Sequence, residues 1–369
     1  MSRIINKIYI EDKNGIDYLL VKHSDKTYAM PCSNVKQGME FYVPTTIKGK
    51  MYKAAVKKLF RVGLFKNRLG VEIKTIKIDQ AIDEYIAKTF DEENFEVAFY
   101  TDETDSVQND KVTIMALGDN PFGYMRLVQS EETRALQKSE FDNIIYLEKK
   151  SVKNIPYVIG IEEIEIDGEQ FCIRSEKPIN GKFKLSFNKK VVNYIQDIVK
   201  KTSVDIAYEE TDFYKYVSYL KQDDTDKETN NRQLILEQAI EYIDKNKDEL
   251  EFAFAHGDYT PWNIRHQNDS IVSFDFEYSK KSMPKYIDIF HFLTQREVLA
   301  RQADTGRSVH AYKKEKQMLK QYMNTRLTYI CYLVYIISFY KQRTNKESEM
   351  LKKQYRIWFE LLEYLLDSK

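Results

Sequence analysis

Two short acidic motifs in the C-terminal half carry the residue types that phosphoryl transfer needs. The first, HGDYTPWN at 256–263, places the carboxylate of Asp258 five residues before the amide of Asn263. The second, FDFE at 274–277, brings Asp275 directly after an apolar run. One carboxylate can take the proton of an attacking hydroxyl. An amide oxygen and a second carboxylate suit Mg²⁺, which bridges nucleotide phosphates and needs few protein ligands.

The residues between these groups predict how they are placed. Pro261 and Trp262 favour a tight loop, which would let Asp258 and Asn263 face one pocket from its two ends. Residues 271–274 have the apolar character of a buried strand that delivers Asp275 to the same pocket.

The two motifs together resemble those of the aminoglycoside phosphotransferase and choline kinase group, relatives of the protein kinases. The resemblance implies that Asp258 is the catalytic base, that Asn263 and Asp275 are metal ligands, and that Mg²⁺ and ATP or GTP are required. It also implies an α+β, protein-kinase-like fold with two lobes, a small β-rich N-lobe and a large helical C-lobe, preceded here by an N-terminal extension.

Other polar residues near the motifs are expected to support them. In kinase-like folds an aspartate at the place of Asp288 hydrogen-bonds backbone groups of the catalytic loop, and a buried carboxylate needs such partners. His256 is predicted to fix the loop that carries Asp258. Glu277 either contacts the metal or its waters or is a solvated charge. His291 is interpreted as a histidine of the core or of a helix face.

The order of elements before the motifs is that of a kinase small lobe. Strands are predicted at 96–100, 111–116 and 122–127, a helix at 131–149, and a hairpin at 157–173 closed by Asp167-Gly168. The predicted domains are an N-terminal extension at 1–90, an N-lobe at 91–174 and a helical C-lobe at 175–369. The resemblance implies that residues 174–182 connect the lobes and hold the adenine.

The predicted phosphate contacts depart from the family pattern. The segment 101–110 contains no glycine, where a glycine-rich loop is expected. Arg126 aligns with the lysine that usually meets phosphate, and Glu140 is its predicted partner. Arginine keeps the charge but presents a planar fork, so it is not a neutral replacement. Two alternatives stay open: an ordinary surface ion pair between Arg126 and Glu140, and Lys111 as the phosphate contact.

The N-terminal extension carries a basic segment, residues 48–77, with ten basic residues and one acidic residue. Residues 49–62 have helical spacing, with lysines opposite an apolar face. Such a helix can lie on an anionic membrane surface or hold an anionic partner. The alternative is a helix packed on its own domain with its lysines in water, and this reading is favoured. A second helix is predicted at 79–90.

Composition excludes several other classes of protein. The 57 basic and 57 acidic side chains give no net charge, so no global field favours nucleic acid. Three widely spaced cysteines indicate neither zinc nor a disulfide framework and favour a reducing cytoplasm. The longest apolar stretch, 328–340, is too short to span a bilayer. Further helices are predicted at 188–201, 209–222, 232–248, 284–302, 309–341 and 344–367.

The spacing after the second motif bears on the acceptor. Asp275 and Asp288 are only 13 residues apart, 288 minus 275, which leaves no room for the long segment that binds peptide in protein kinases. The expected acceptor is therefore a hydroxyl of a small molecule. The resemblance implies a sugar, an aminoglycoside or a choline-like alcohol, whereas the basic N-terminal extension would suit an anionic or membrane-bound glycan precursor. The alternative is a kinase-like protein that binds nucleotide or glycan without catalysing transfer.

Overall fold

The protein, seen in a computed structural model, divides into two compact units. The first comprises residues 1–144 and 156–180, and the second comprises residues 145–155 and 181–369. The structure describes residues 5–23, 26–44, 47–61, 70–102, 111–222, 230–343 and 349–368.

The first unit is built on one eight-stranded antiparallel sheet. Its strands are β1 (Tyr9–His23), β2 (Lys26–Pro31), β3 (Val71–Ile78), β4 (Glu96–Asp102), β5 (Lys111–Leu117), β6 (Pro121–Val128), β7 (Val158–Ile166) and β8 (Glu169–Glu176). The spatial order is β3-β1-β2-β4-β5-β6-β8-β7. Strands from residues 1–90 therefore continue the sheet formed by later residues. The division into domains at 1–90, 91–174 and 175–369 stays a prediction.

Side chains alternate between the two faces of this sheet, and each face has its own core. Val97 and Phe99 belong to one apolar cluster and Ala98 to the other, as the two-residue period of a strand requires. The helices of this part of the chain are α1 (Ile5–Ile8), α2 (Val35–Gly38), α3 (Ile47–Leu59), α4 (Gln80–Phe90) and α5 (Glu131–Lys149). The Asp79 carboxylate caps α4 by accepting from the backbone N–H of Ala81 at 2.9 Å.

The second unit is mainly helical and carries two short two-stranded sheets. Its helices are α6 (Lys189–Thr202), α7 (Asp212–Gln222), α8 (Asn230–Lys245), α9 (Ile287–Gln295), α10 (Thr305–Leu319), α11 (Thr325–Arg343) and α12 (Glu349–Asp367). The strands are β9 (Phe252–Ala255), β10 (Ile264–His266), β11 (Ile271–Ser273) and β12 (Lys280–Pro284), paired as β9 with β12 and β10 with β11. The predicted α+β class is confirmed, with a β-rich unit and a helical unit.

Several predicted elements are corrected by the structure. The single helix predicted at 309–341 is two helices, because the side-chain amide oxygen of Asn324 accepts from the backbone N–H of Leu327 and starts α11 anew. The helix predicted at 284–302 begins only after strand β12, at Ile287, and continues as a π-helical turn, Arg296–Ala300. Strands β2 and β3 were not predicted at all.

Three predicted segments lie partly outside the described residues. The parts outside are 62–69 of the basic segment, 103–110 of the loop that lacks glycine, and 344–348 of the helix predicted at 344–367. Throughout the described ranges, every helix is too short or too polar to cross a bilayer. Within the described residues, Cys32, Cys172 and Cys331 form no disulfide.

Candidate active site

The first motif begins where the buried strand β9 ends. All four residues of β9 are buried, and β9 pairs with β12. Gly257 then turns the chain with a backbone φ of 80°, which L side chains rarely adopt. A Cβ atom at this position would lie 2.4 Å from the backbone oxygen of Tyr278. The sequence His-Gly-Asp therefore needs its glycine for both conformation and space.

Asp288, at the start of α9, holds this turn through two backbone contacts. Its carboxylate accepts from the N–H of His256 at 2.7 Å and from the N–H of Gly257 at 3.1 Å. These are the backbone contacts that the sequence predicts for Asp288. The side chain is almost fully buried, and burial raises the pKa of Asp288 above its ordinary value, while His256 and the two N–H donors oppose this rise.

The His256 ring links the two motifs. Its Nε2 lies 3.0 Å from the backbone oxygen of Phe274, which can only accept, so Nε2 carries the proton. Its Nδ1 then accepts from the backbone N–H of Asp258 at 3.4 Å. The ring is fully buried and fixes the backbone on both sides of the site.

Asp258 and Asn263 are in direct contact and do not lie at two ends of a pocket. The short 3₁₀ turn Pro261–Asn263 brings the Asn263 amide nitrogen 2.7 Å from Asp258 Oδ2 and 3.0 Å from the Asp258 backbone oxygen. Because the nitrogen makes both contacts, the amide oxygen is the atom that Asn263 can offer to a cation.

A short β-ribbon places Asn263 beside the second motif. Strand β10 follows Asn263, strand β11 precedes Asp275, and the two strands pair antiparallel. At the end of the ribbon the Phe274 N–H donates to the Asn263 backbone oxygen at 3.1 Å. Asp275 then adopts a φ of 75°, a sparsely populated conformation that persists where the surrounding structure enforces it.

The oxygen atoms gathered here fit a hard divalent cation. One carboxylate oxygen of Asp275 and one of Glu277 lie within 4.8 Å of each other. Asn263, whose backbone oxygen accepts from the Phe274 N–H, offers an amide oxygen of the same kind, and Mg²⁺ favours carboxylate and carbonyl donors. Glu277 is therefore next to the predicted metal ligand Asp275.

His291 also belongs to the site, contrary to the interpretation of it as an ordinary core or helix-face histidine. From α9 its Nε2 donates to Asp258 Oδ1 at 3.0 Å. Its Nδ1 is buried, with no hydrogen-bond partner among the described residues. With Asn263 on Oδ2, both oxygens of the Asp258 carboxylate have a donor. The helical position of His291, one turn after Asp288, was the available signal, since residues three apart share a helix face.

Helix α11 brings tyrosines to the other side of Asp258. The Tyr335 hydroxyl lies 3.5 Å from the backbone oxygen of Gly257. Burial, and then the nearby Asp258 carboxylate, raise the pKa of Tyr340 to about 12. Tyr335 is fully buried, whereas Tyr340 is only half-buried. The surroundings of Asp258 are therefore aromatic, and they are partly open to solvent at Tyr340.

The first unit carries the predicted Arg126 and Glu140 pair and one further arginine. Arg126 on β6 donates to Glu140 on α5 at 2.8 Å, and Glu140 is 1% exposed, so this is not a surface pair. Arg174, opposite Arg126 on β8, lies 3.0 Å from the second Glu140 oxygen and 3.2 Å from Glu176. These Arg174 contacts are ion pairs without hydrogen-bond alignment. Arg174 was predicted to begin the segment that connects the lobes, but it lies within strand β8.

Comparisons with known proteins give structural likeness only. No protein-family model matches the chain, and no curated protein matches it. The structure is similar to ADP-bound aminoglycoside phosphotransferase APH(2'')-Ib, with 16% identity, 78% of this chain and 99% of that chain covered, and a TM-score of 0.44. It is also similar to spectinomycin phosphotransferase APH(9)-Ia in complex with ADP and spectinomycin. That match has 13% identity, covers 79% of this chain and 98% of that chain, and has a TM-score of 0.46.

A third similar structure is a thermostable mutant of aminoglycoside phosphotransferase APH(4)-Ia in its apo form. It shares 9% identity, over 77% of this chain and 98% of that chain, with a TM-score of 0.49. The three proteins belong to the group of phosphotransferases that the sequence motifs resemble. At these identities and TM-scores the likeness carries no argument about activity or substrate, which rest on the residues of the site.

Proposed function

We propose that this protein is a metal- and nucleotide-dependent phosphotransferase that moves the γ-phosphoryl group of ATP or GTP to a hydroxyl of a small molecule. The observation that carries the proposal is the Asp258 carboxylate, held by Asn263 on one oxygen and by His291 on the other. The ribbon that bears Asn263 also bears Asp275, so a base and a set of metal donors share one rigid support.

Asp258 acts as the general base in this proposal. Each carboxylate oxygen has two lone pairs, so Oδ1 or Oδ2 can accept a further hydrogen bond from an acceptor hydroxyl. The Asp258 side chain is 30% exposed, which leaves it reachable. It orients the hydroxyl and takes its proton as the oxygen attacks phosphorus.

Asn263 and Asp275 are the proposed metal ligands, with Glu277 holding the metal or its waters. Mg²⁺ bound there would neutralise charge on the transferring phosphoryl group. Asp288 and His256 keep the backbone of this loop fixed. In the first unit we assign phosphate binding to Arg126, whose orientation is set by Glu140.

A small acceptor is favoured by the segment between Asp275 and Asp288. Five of its residues form β12, which pairs with β9, so a fixed strand takes the place of a long peptide-binding loop. The aromatic side chains of α11 beside Asp258 suit a compact acceptor such as a sugar or an amino alcohol. A glycan precursor also carries hydroxyl groups and belongs to the same class of acceptors.

The test is Asp258→Asn, which keeps the size of the side chain and removes the base. Transfer should fall by about 10²–10⁴-fold, measured with Mg-ATP and Mg-GTP over a panel of sugars, aminoglycosides and choline-like alcohols. Nucleotide affinity in isothermal titration should be unchanged. Undiminished transfer by Asp258→Asn contradicts the assignment. Nucleotide binding by the unaltered protein without transfer to any acceptor favours a non-catalytic binding protein.

A further inference from the structure

Helix α3 presents an uncovered face that combines apolar and basic side chains. Its opposite face is anchored by Val56, and Phe60 just beyond the helix belongs to the same core of the first unit. The uncovered stripe follows helical spacing and comprises Ile47, Lys50, Met51, Ala54 and Lys58, all exposed. Ile47 is 77% exposed and Met51 is 68% exposed, high values for large apolar side chains.

The charge on this face is of one sign. No acidic residue occurs between positions 47 and 61, although the whole chain has no net charge. Glu40 pairs with Lys53 and Lys57 at the side of the helix, at 3.1 and 2.7 Å. Within the described ranges, Lys50 and Lys58 on the stripe have no carboxylate partner. The positive field is therefore local to α3.

We propose that the uncovered face of α3 docks on an anionic lipid surface. Lysines at the rim of such a helix meet lipid phosphates, while apolar side chains enter the boundary between headgroups and acyl chains. The pattern fits a bilayer better than a nucleic acid, because a polyanion would engage the lysines and leave Ile47 and Met51 in water. The contact is peripheral, and it does not depend on the proposed function.

Vesicle flotation of the full-length protein tests the proposal. It should bind vesicles of phosphatidylcholine mixed with phosphatidylglycerol and not those of phosphatidylcholine alone. Lys50→Gln with Lys58→Gln should weaken partitioning by about fivefold per lysine. Ile47→Ser with Met51→Ser should also weaken it, while leaving its salt dependence unchanged, since the charges remain.

The matched control is Lys138→Gln with Lys245→Gln, which makes the same change in net charge at lysines that are 72% and 69% exposed on other helices. The control should bind vesicles as the unaltered protein does. Absence of binding to the anionic vesicles overturns the proposal. The proposal is also overturned if the variant Ile47→Ser with Met51→Ser binds anionic vesicles undiminished and single-stranded RNA displaces the protein from them. That result would show a site for polyanions.

Discussion

Two donors hold the Asp258 carboxylate, and they come from different parts of the chain. Asn263 is five residues away in the same motif, whereas His291 reaches Asp258 from helix α9. A hydrogen bond to a charged group contributes about 1.5–3 kcal/mol. His291 thus limits the orientations of a group whose placement decides the rate, since a shift of about 1 Å in a reacting group can cost about 10²-fold.

His291→Leu should lower kcat by about 10–10²-fold, because the carboxylate loses one of its two fixed contacts. His291→Gln should recover part of the loss, since its amide nitrogen can reach the same oxygen. Nucleotide KM should hardly change, because His291 contacts the base and not the metal donors. Steady-state kinetics of both variants would check this.

The control for His291 is His266→Leu. His266 is 5% exposed, like a core residue, and its Nε2 also lacks a hydrogen-bond partner among the described residues. Among the described residues it makes no hydrogen bond to Asp258, so its replacement should leave kcat unchanged. Equal losses in His266→Leu and His291→Leu would mean that packing and not orientation of the base explains the effect.

At the scale of elements, two aspartates accept backbone N–H groups in and just beyond the paired strands β9 and β12. Asp288 follows the strand and accepts the N–H groups of His256 and Gly257. Asp212, at the start of α7, accepts those of Lys281 and Ser282 within the strand, at 3.1 and 3.2 Å. The two carboxylates do the same structural work, but only Asp288 touches the loop of the candidate base.

Asp288→Asn and Asp212→Asn form a matched pair. In Asp288→Asn one of the two accepting oxygens becomes an amide nitrogen that cannot accept a backbone N–H, which should cost about 1–3 kcal/mol of stability. In Asp212→Asn the amide oxygen can keep both backbone contacts, because they share Oδ2, and the amide nitrogen replaces the oxygen that faces Lys215, so the cost should be smaller. Asp288→Asn should also lower kcat, because the turn at Gly257 loses its brace, whereas Asp212→Asn should not. Chemical denaturation and kinetics would be measured for both. A similar kcat for the two variants would remove Asp288 from any positioning role.

Local sequence signals explain which elements were predictable. The turn Asp167-Gly168, with positive φ at both residues, closes the predicted hairpin of β7 and β8, and α4 begins one residue after its predicted start. Strand β3 escaped prediction because Lys74 and Lys77 make it part of the basic segment. The partner of β3 is β1, far away in sequence, and pairing of that kind leaves no local pattern.

In the candidate site, as in the fold, the residues that belong to a local sequence pattern were predictable and those brought in by packing were not. Asp258, Asn263 and Asp275 lie within two contiguous motifs, so the loop and ribbon that join them could be inferred. His291 and Arg174 could not, because each becomes relevant only when a helix or strand packs beside its partner. The spacing of His291 from Asp288 places both on one helix face but does not show that this face meets Asp258, and a buried arginine within a strand has no sequence signature of its own.

At the scale of the whole molecule, the first unit taken by itself carries a cluster of charges that bears on the proposed phosphate binding. The first unit holds Arg126 and Arg174 against Glu140 and Glu176, two positive charges against two negative charges. Arg174 is 1% exposed and Arg126 is 18% exposed, so Arg126 is the arginine that can reach a ligand. Arg174 supplies a second countercharge to Glu140.

Mg-nucleotide should raise the melting temperature of the full-length protein, because a ligand that binds only the folded state adds about 2.7 kcal/mol at a concentration 100 times Kd. Chelation of the metal by EDTA should abolish the rise, since in the proposal the nucleotide phosphates bind to the metal that Asn263 and Asp275 hold. Arg126→Ala should reduce it strongly. Arg126→Lys should restore only part of it, because an ammonium group lacks the planar fork of arginine.

Lys111→Ala distinguishes the two candidate phosphate contacts. Lys111 begins β5, the neighbour of β6, and is half-buried. Each variant is compared by the shift that Mg-nucleotide produces, because loss of Arg126 also weakens the pairing of the buried Glu140 and lowers the starting temperature. A full shift in Lys111→Ala and a small one in Arg126→Ala support Arg126. The reverse result would place the phosphate contact on β5 and reduce Arg126 to a structural partner of Glu140.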